Sequence, residues 1–199
     1  TKGVIVQGIL GVGGENQGEL VKVTSSHNEE LTHSMIEVEH KGKIIIGGSF
    51  LNLQTFKKAK EVGVAGIVSG GFDYTDLSKI LGYSLGVAIT GSEEIGPSLI
   101  ITEGFGQISM AARTYELLIS NEGKFGSING STQIRAGVIR PEILIPFEKL
   151  DVAVEEFDES DLAINEGSLI RVIRAPYFGR VGTVKSLPSE LAKMESETL

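Results

Sequence analysis

Short apolar runs closed by glycine recur through the middle of this 199-residue chain. Lys43-Ile44-Ile45-Ile46 runs into Gly47-Gly48-Ser49, and Val64-Ala65-Gly66-Ile67-Val68 into Ser69-Gly70-Gly71. Gly86-Val87-Ala88-Ile89 runs into Thr90-Gly91-Ser92, and Leu99-Ile100-Ile101 into Thr102-Glu103-Gly104-Phe105-Gly106. Segments apolar at successive positions read as strands buried on both faces. Between them the period changes. Leu53, Phe56, Ala59 and Val62 keep helical spacing, Lys57, Lys58, Lys60 and Glu61 fill the polar positions, and Gly63 stops the helix. Asp73 or Thr75 caps a second helix through Leu77, Ile80 and Leu81 that Gly82 closes. A third is expected from about Ile108 to Ser120, ended by Asn121-Glu122-Gly123. Strands alternating with helices in this way predict right-handed βαβ crossovers and an α/β fold with a mixed, partly parallel sheet.

The flanks read as β structure. Val4–Leu10 is rich in β-branched residues, Gly18–Thr24 alternates polar and apolar, and the glycine-dense connector Gly11–Gln17 lies between them. The expectation is an antiparallel hairpin. That connector lacks the Lys-Ser/Thr and the following helix of a phosphate loop. Asn129-Gly130 predicts a second hairpin between Phe125–Ile128 and Thr132–Arg135. Ile143-Leu144-Ile145, between Pro141 and Pro146, reads as an edge strand. The predicted organisation is an α/β domain over 1–146, an acidic connector over 147–166 and a small β module over 167–199.

Composition narrows the function classes. A hydrophobic content of 41% and a charged content of 22% are those of a globular protein. No apolar run nears the roughly 20 residues that span a bilayer. No secretory signal is visible, and Thr1 in place of Met leaves room for an upstream segment. The absence of cysteine removes disulfides, thiol nucleophiles and cysteine metal sites, and fits a cytoplasmic location. A net charge of −8 disfavours general phosphate binding and confines any nucleic-acid contact to a local patch.

Such a patch occurs near the C-terminus. Gly167–Val184 holds two strands joined by the turn Pro176-Tyr177-Phe178-Gly179, with Arg171, Arg174, Arg180 and Lys185 around it. This segment resembles the KOW motif of SH3-like small barrels in ribosomal proteins and bacterial transcription elongation factors. Gly167, Val172, the Pro176–Gly179 turn, Gly182 and Val184 carry the likeness, with Gly182 at the family's invariant-type glycine. The wider chain is similar to uncharacterised bacterial proteins that join a glycine-rich α/β region to a KOW-type end, through Gly63–Gly71, Ile101–Gly106 and Gln133–Glu142. The resemblance implies RNA or protein binding through Arg171, Arg174, Tyr177, Phe178, Arg180 and Lys185. KOW barrels usually carry further strands, so an incomplete barrel is expected in a chain that ends at Leu199.

The second candidate site is the edge where the parallel strands end, since open α/β sheets bind ligands there. It would gather Ser69, Gly70, Gly71, Asp73, Thr90, Gly91, Ser92, Glu93, Glu103, Gly104 and Gly106, with Arg135 as an anion or carboxylate partner. Glu93 and Glu103 make it acidic, which disfavours phosphate. His27, His33 and His40 match no zinc spacing, and no cofactor is expected. The leading expectation is therefore a cytoplasmic, non-catalytic binding or regulatory protein with a KOW-like module for RNA or protein. The alternatives are an enzyme or small-ligand sensor using the glycine turns, and a subunit of a homo-oligomer joined through strands such as 143–145.

Overall fold

The computed structural model describes residues 3–82, 95–132, 139–147, 164–172 and 180–187. The chain forms two compact units, Thr1–Leu150 and Asp151–Leu199. The division falls inside the acidic stretch expected to act as a connector. Among the described residues no helix is long and apolar enough to cross a membrane.

The first unit is built on β1 (Gly3–Gln7), β2 (Leu10–Val12), β3 (Glu15–Lys22), β4 (Ile44–Ile46), β5 (Phe50–Leu51), β6 (Gly66–Phe72), β7 (Ser98–Phe105), β8 (Phe125–Asn129) and β9 (Glu142–Pro146). Three helices accompany them: α1 (Leu53–Val62), α2 (Tyr74–Leu81) and α3 (Ala112–Ile119). Strands β3, β4, β6 and β7 run parallel to their neighbours, and β5 extends the same ladder along the end of β6. Strands β8, β9 and β1 then add antiparallel to the other side of β3, and β2 adds antiparallel to β7. The mixed, partly parallel α/β sheet is thus present.

Its two ends are the same piece of chain. Strands β1 and β2 lie at opposite ends of the hydrogen-bonded order, yet only Gly8 and Ile9 separate them. The Gly8 amide donates to Pro141 O and the Ile9 amide to Ile101 O, both at 2.8 Å. Residues 3–12 therefore pass from β9 to β7 and close the sheet into a ring. A similar change of partner occurs within β3, whose first residues pair with β8 and whose last pair with β4. Gly18 lies in that strand, and a Cβ there would stand 2.4 Å from Gly42 O. Only glycine allows so close a backbone approach at a corner.

Side-chain alternation agrees with closure. Val6, Leu20, Ile44, Ile46, Val68, Ile100, Ile128, Ile143 and Ile145, drawn from strands all round the ring, form one cluster with Met110, Tyr115 and Leu118. Ile45, Ile67, Leu99 and Ile101 point the other way and pack with Phe56 and Ala59 of α1 and Leu77 of α2. The central strands are apolar at consecutive positions because both faces are covered. Phe56 meets Phe72 edge to face, with ring centroids 6.5 Å apart.

The helix termini follow the sequence signals. Asn52 caps α1 by accepting from the Thr55 amide at 2.9 Å, and Gly63 ends it in the left-handed conformation at φ 82°. Asp73 caps α2 and Gly82 ends it the same way. An N-cap side chain such as that of Asn52 contributes about 1 kcal/mol.

Three expectations are corrected. The segments 4–10 and 18–24 do not form a hairpin with each other, because 3–12 is held by β9 and β7 and β3 by β8 and β4. Strand β8 pairs with β3 and β9, while residues 133–135 of the second expected hairpin lie outside the described residues. Strand β9 is interior, between β8 and β1. Its prolines cost the ladder little, since Pro141 precedes the strand and Pro146 is its last residue. An oligomer built on 143–145 as a free edge loses its basis. The third helix also starts later than expected, at Ala112.

In the second unit, β10 (Leu169–Arg171) and β11 (Val181–Thr183) form an antiparallel ribbon. Gly167 N–H to Val184 O, Val184 N–H to Ser168 O and Val172 N–H to Arg180 O extend it at 2.8, 2.9 and 2.8 Å.

Candidate functional site

Strands β4, β6 and β7 end on one rim, as the parallel pairing requires. The register sets Gly71 opposite Gly104 and Phe72 opposite Phe105. Ser69, Gly70, Gly71, Glu103, Gly104 and Gly106 are brought to this rim, with Asp73 just beyond it. Thr90, Gly91, Ser92, Glu93 and Arg135 lie outside the described residues.

The rim is occupied by the chain itself. The amides of Gly70 and Gly71 donate to Gly48 O and Ser49 O at 3.0 and 2.6 Å. Across their other side runs the segment after β7. A Cβ on Gly70 would meet Ile108 O at 2.3 Å and Met110 N at 2.6 Å. One on Gly71 would stand 2.0 Å from Gly106 O. These glycines serve backbone-on-backbone packing, and no room for a ligand is left against them.

The segment 106–111 is fastened from both ends. Gly106 N–H donates to Phe72 O at 2.9 Å, and Met110 N–H donates to His27 O at 3.1 Å. His27 Nδ1 also lies 2.9 Å from Met110 O. The Glu103 carboxylate, 5% exposed, accepts from the Ala111 amide at 2.9 Å and caps a helix whose own N-cap residue has no capping side chain. Asp73 accepts from the amides of Thr75 and Asp76 at 2.7 and 3.1 Å. Its carboxyl is held below the ordinary value of 3.8, first by the Thr75 hydroxyl and then by the Asp76 amide. Of the acids that sequence inspection places at the rim, Asp73 and Glu103 are thus engaged with helix starts.

Ser69 is fully buried, and its hydroxyl has no hydrogen-bond partner among the described residues. What the rim presents to solvent is an aromatic pair that the sequence reading passed over. Tyr74 and Phe105 are each 44% exposed and meet edge to face at 5.3 Å. Their signal was the placement of one aromatic after the Asp73 cap and another between two glycines.

No three His, Cys, Asp or Glu side chains come together as a metal site among the described residues. His40 Nδ1 accepts from the Glu37 amide at 3.0 Å and closes a short 3-10 turn over Val38–His40.

In the second unit, Arg171 lies on β10, and Arg180 and Lys185 are exposed beside β11. Arg174, Tyr177 and Phe178 fall outside the described residues. The ribbon shows apolar side chains on the surface: Leu169 at 67%, Val181 at 46% and Ile170 at 37% exposure. The chain matches no protein-family model, no curated protein and no solved structure.

Proposed function

We propose that this chain is a non-catalytic binding or regulatory protein whose C-terminal β ribbon is a KOW-like, SH3-like module that engages a protein partner. The observation that carries this reading is the exposure of Leu169, Ile170 and Val181 on a ribbon of two strands. Apolar side chains left exposed on such a ribbon favour a covering surface. Gly182 sits opposite Ile170, and among the described residues no heavy atom lies within 4 Å of where its Cβ would stand. The face of the ribbon at Gly182 thus leaves space for close approach by a partner.

Arg171, Arg174, Arg180 and Lys185 make this stretch of sequence locally cationic and suited to an acidic partner, and Tyr177 and Phe178 supply aromatic contact residues. The net charge of −8 weighs against RNA as the principal partner. At the strand-end rim, Glu103 and Asp73 act as helix caps, which weighs against a catalytic acid or base role for either.

The test is quantitative capture by the immobilised chain, with captured protein and RNA measured together. Leu169→Glu with Val181→Glu, and separately Gly182→Val, are expected to cut capture of a saturable protein component at least about tenfold. Capture unchanged in both variants contradicts the proposal. Capture abolished by nuclease assigns the module to RNA instead.

A further inference from the structure

A groove of about 420 Å³ lies between α1 and α2 in the first unit. Its apolar lining comes from Leu53 and Phe56 of α1, Ile80 of α2, and Ile95. Lys57, Lys60 and Lys79 supply the remainder. We infer that this groove binds a small amphipathic acid, an apolar body carrying one carboxylate, sulfonate or phosphate group. This inference stands apart from the proposal for the ribbon and uses none of its residues.

Three observations carry it. The size falls in the range of small-molecule sites, roughly 300–1,000 Å³. Among the described lining residues the charge is of one sign: three lysines from two helices line the groove in a chain of net charge −8. Among the described residues Lys57 and Lys60 have no carboxylate within salt-bridge distance, while Lys79 is bonded to Asp76 at 2.7 Å. The third observation concerns how Lys60 is held. Its Cγ, Cδ and Cε lie 3.0, 3.3 and 3.5 Å from where a Cβ on Gly96 would stand. The aliphatic stem therefore runs along bare backbone at Gly96.

The combination selects the ligand class. An apolar floor with a cationic border matches a molecule with a hydrophobic body and a single acidic head. A polyanion such as a nucleic acid needs a longer basic track and gains nothing from the apolar floor. A neutral apolar ligand leaves Lys57 and Lys60 without a counter-charge. A cationic one meets repulsion.

The experiment is fluorescence titration of the full chain with anilinonaphthalene sulfonate, followed by displacement with decanoate or decanol. The wild-type chain is expected to show one saturable site from which decanoate displaces the probe much more effectively than decanol. Lys57→Gln with Lys60→Gln is expected to weaken probe binding about tenfold through lost charge-assisted contacts. Lys58→Gln, on the same helix but outside the groove, controls for the general loss of positive charge and leaves binding nearly unchanged. The lysines at the groove are surface residues, and an unchanged far-ultraviolet spectrum establishes that the variants fold. Absence of a saturable site, equal weakening by Lys58→Gln, or equal displacement by the acid and the alcohol overturns the inference.

Discussion

Glu103, near the end of β7, caps the backbone at Ala111, where α3 begins, through a 2.9 Å hydrogen bond. The strand thereby fixes both the direction of the segment between them and the first residue of the helix. A fully buried amide deprived of its acceptor costs about 1–3 kcal/mol, and the half-buried Ala111 amide falls at the low end of that range. Glu103→Ala is expected to lower unfolding free energy in urea by an amount in that range. Glu103→Gln keeps a carbonyl acceptor and is expected to lose less. Equal stability of the alanine variant and the wild type would remove this capping role.

Two glycines, Gly71 at the rim and Gly14 between β2 and β3, differ sharply in what surrounds them, and that difference can be measured. Gly71→Ala drives a methyl into Gly106 O, a backbone atom 2.0 Å from the ideal Cβ. Forced backbone shifts of this kind cost about 1–3 kcal/mol and sometimes more. Gly14 has no heavy atom within 4 Å of its Cβ position among the described residues. Gly14→Ala is expected to stay within about 0.5 kcal/mol of wild type or to stabilise slightly. Thermal unfolding of the pair decides whether packing or turn conformation is what glycine supplies.

Asp73 gives a pH dependence of known sign. Its carboxyl is depressed in the folded chain, chiefly by the Thr75 hydroxyl and next by the Asp76 amide. A depressed native value means that the stabilisation is present above the unfolded value of 3.8 and is lost as pH falls through the native value. The start of α2 is expected to fray on acidification below about pH 4. Amide exchange at Thr75 and Asp76, followed against pH, should show protection falling in that window. Thr75→Val removes the largest cause and is expected to move the Asp73 titration upward. Asp73→Asn should flatten the profile at this helix end.

Local signals were legible in the sequence, and long-range pairings were not. Helices α1 and α2 end at Gly63 and Gly82 because left-handed caps are encoded at the residue that adopts them. The consecutive apolar residues of β4, β6 and β7 announced burial on both faces. By contrast, the partners of residues 3–12 lie at 99–101 and 142–146, where no local pattern points to them. A local hairpin was the natural reading of that segment, and ring closure overrides it. Residues 108–111 have helical character, but the pairing of Met110 with His27 O and the close approach to Gly70 hold them outside the helix. Convergence of the strand ends was readable from the βα alternation. Their filling by the chain's own backbone was not, since glycine serves equally for a ligand's approach and for a neighbouring strand's.

Amide hydrogen exchange resolved at Gly8, Ile9, Gly70 and Gly71 tests the central structural claim most directly. The first two donate across the seam that closes the ring, and the second two across the rim that the chain fills. The account predicts that all four exchange as slowly as the central amides of β6, through global unfolding alone. Fast exchange at Gly8 and Ile9 would contradict closure. Fast exchange at Gly70 and Gly71 would show a rim open to solvent, and with it a place for a ligand.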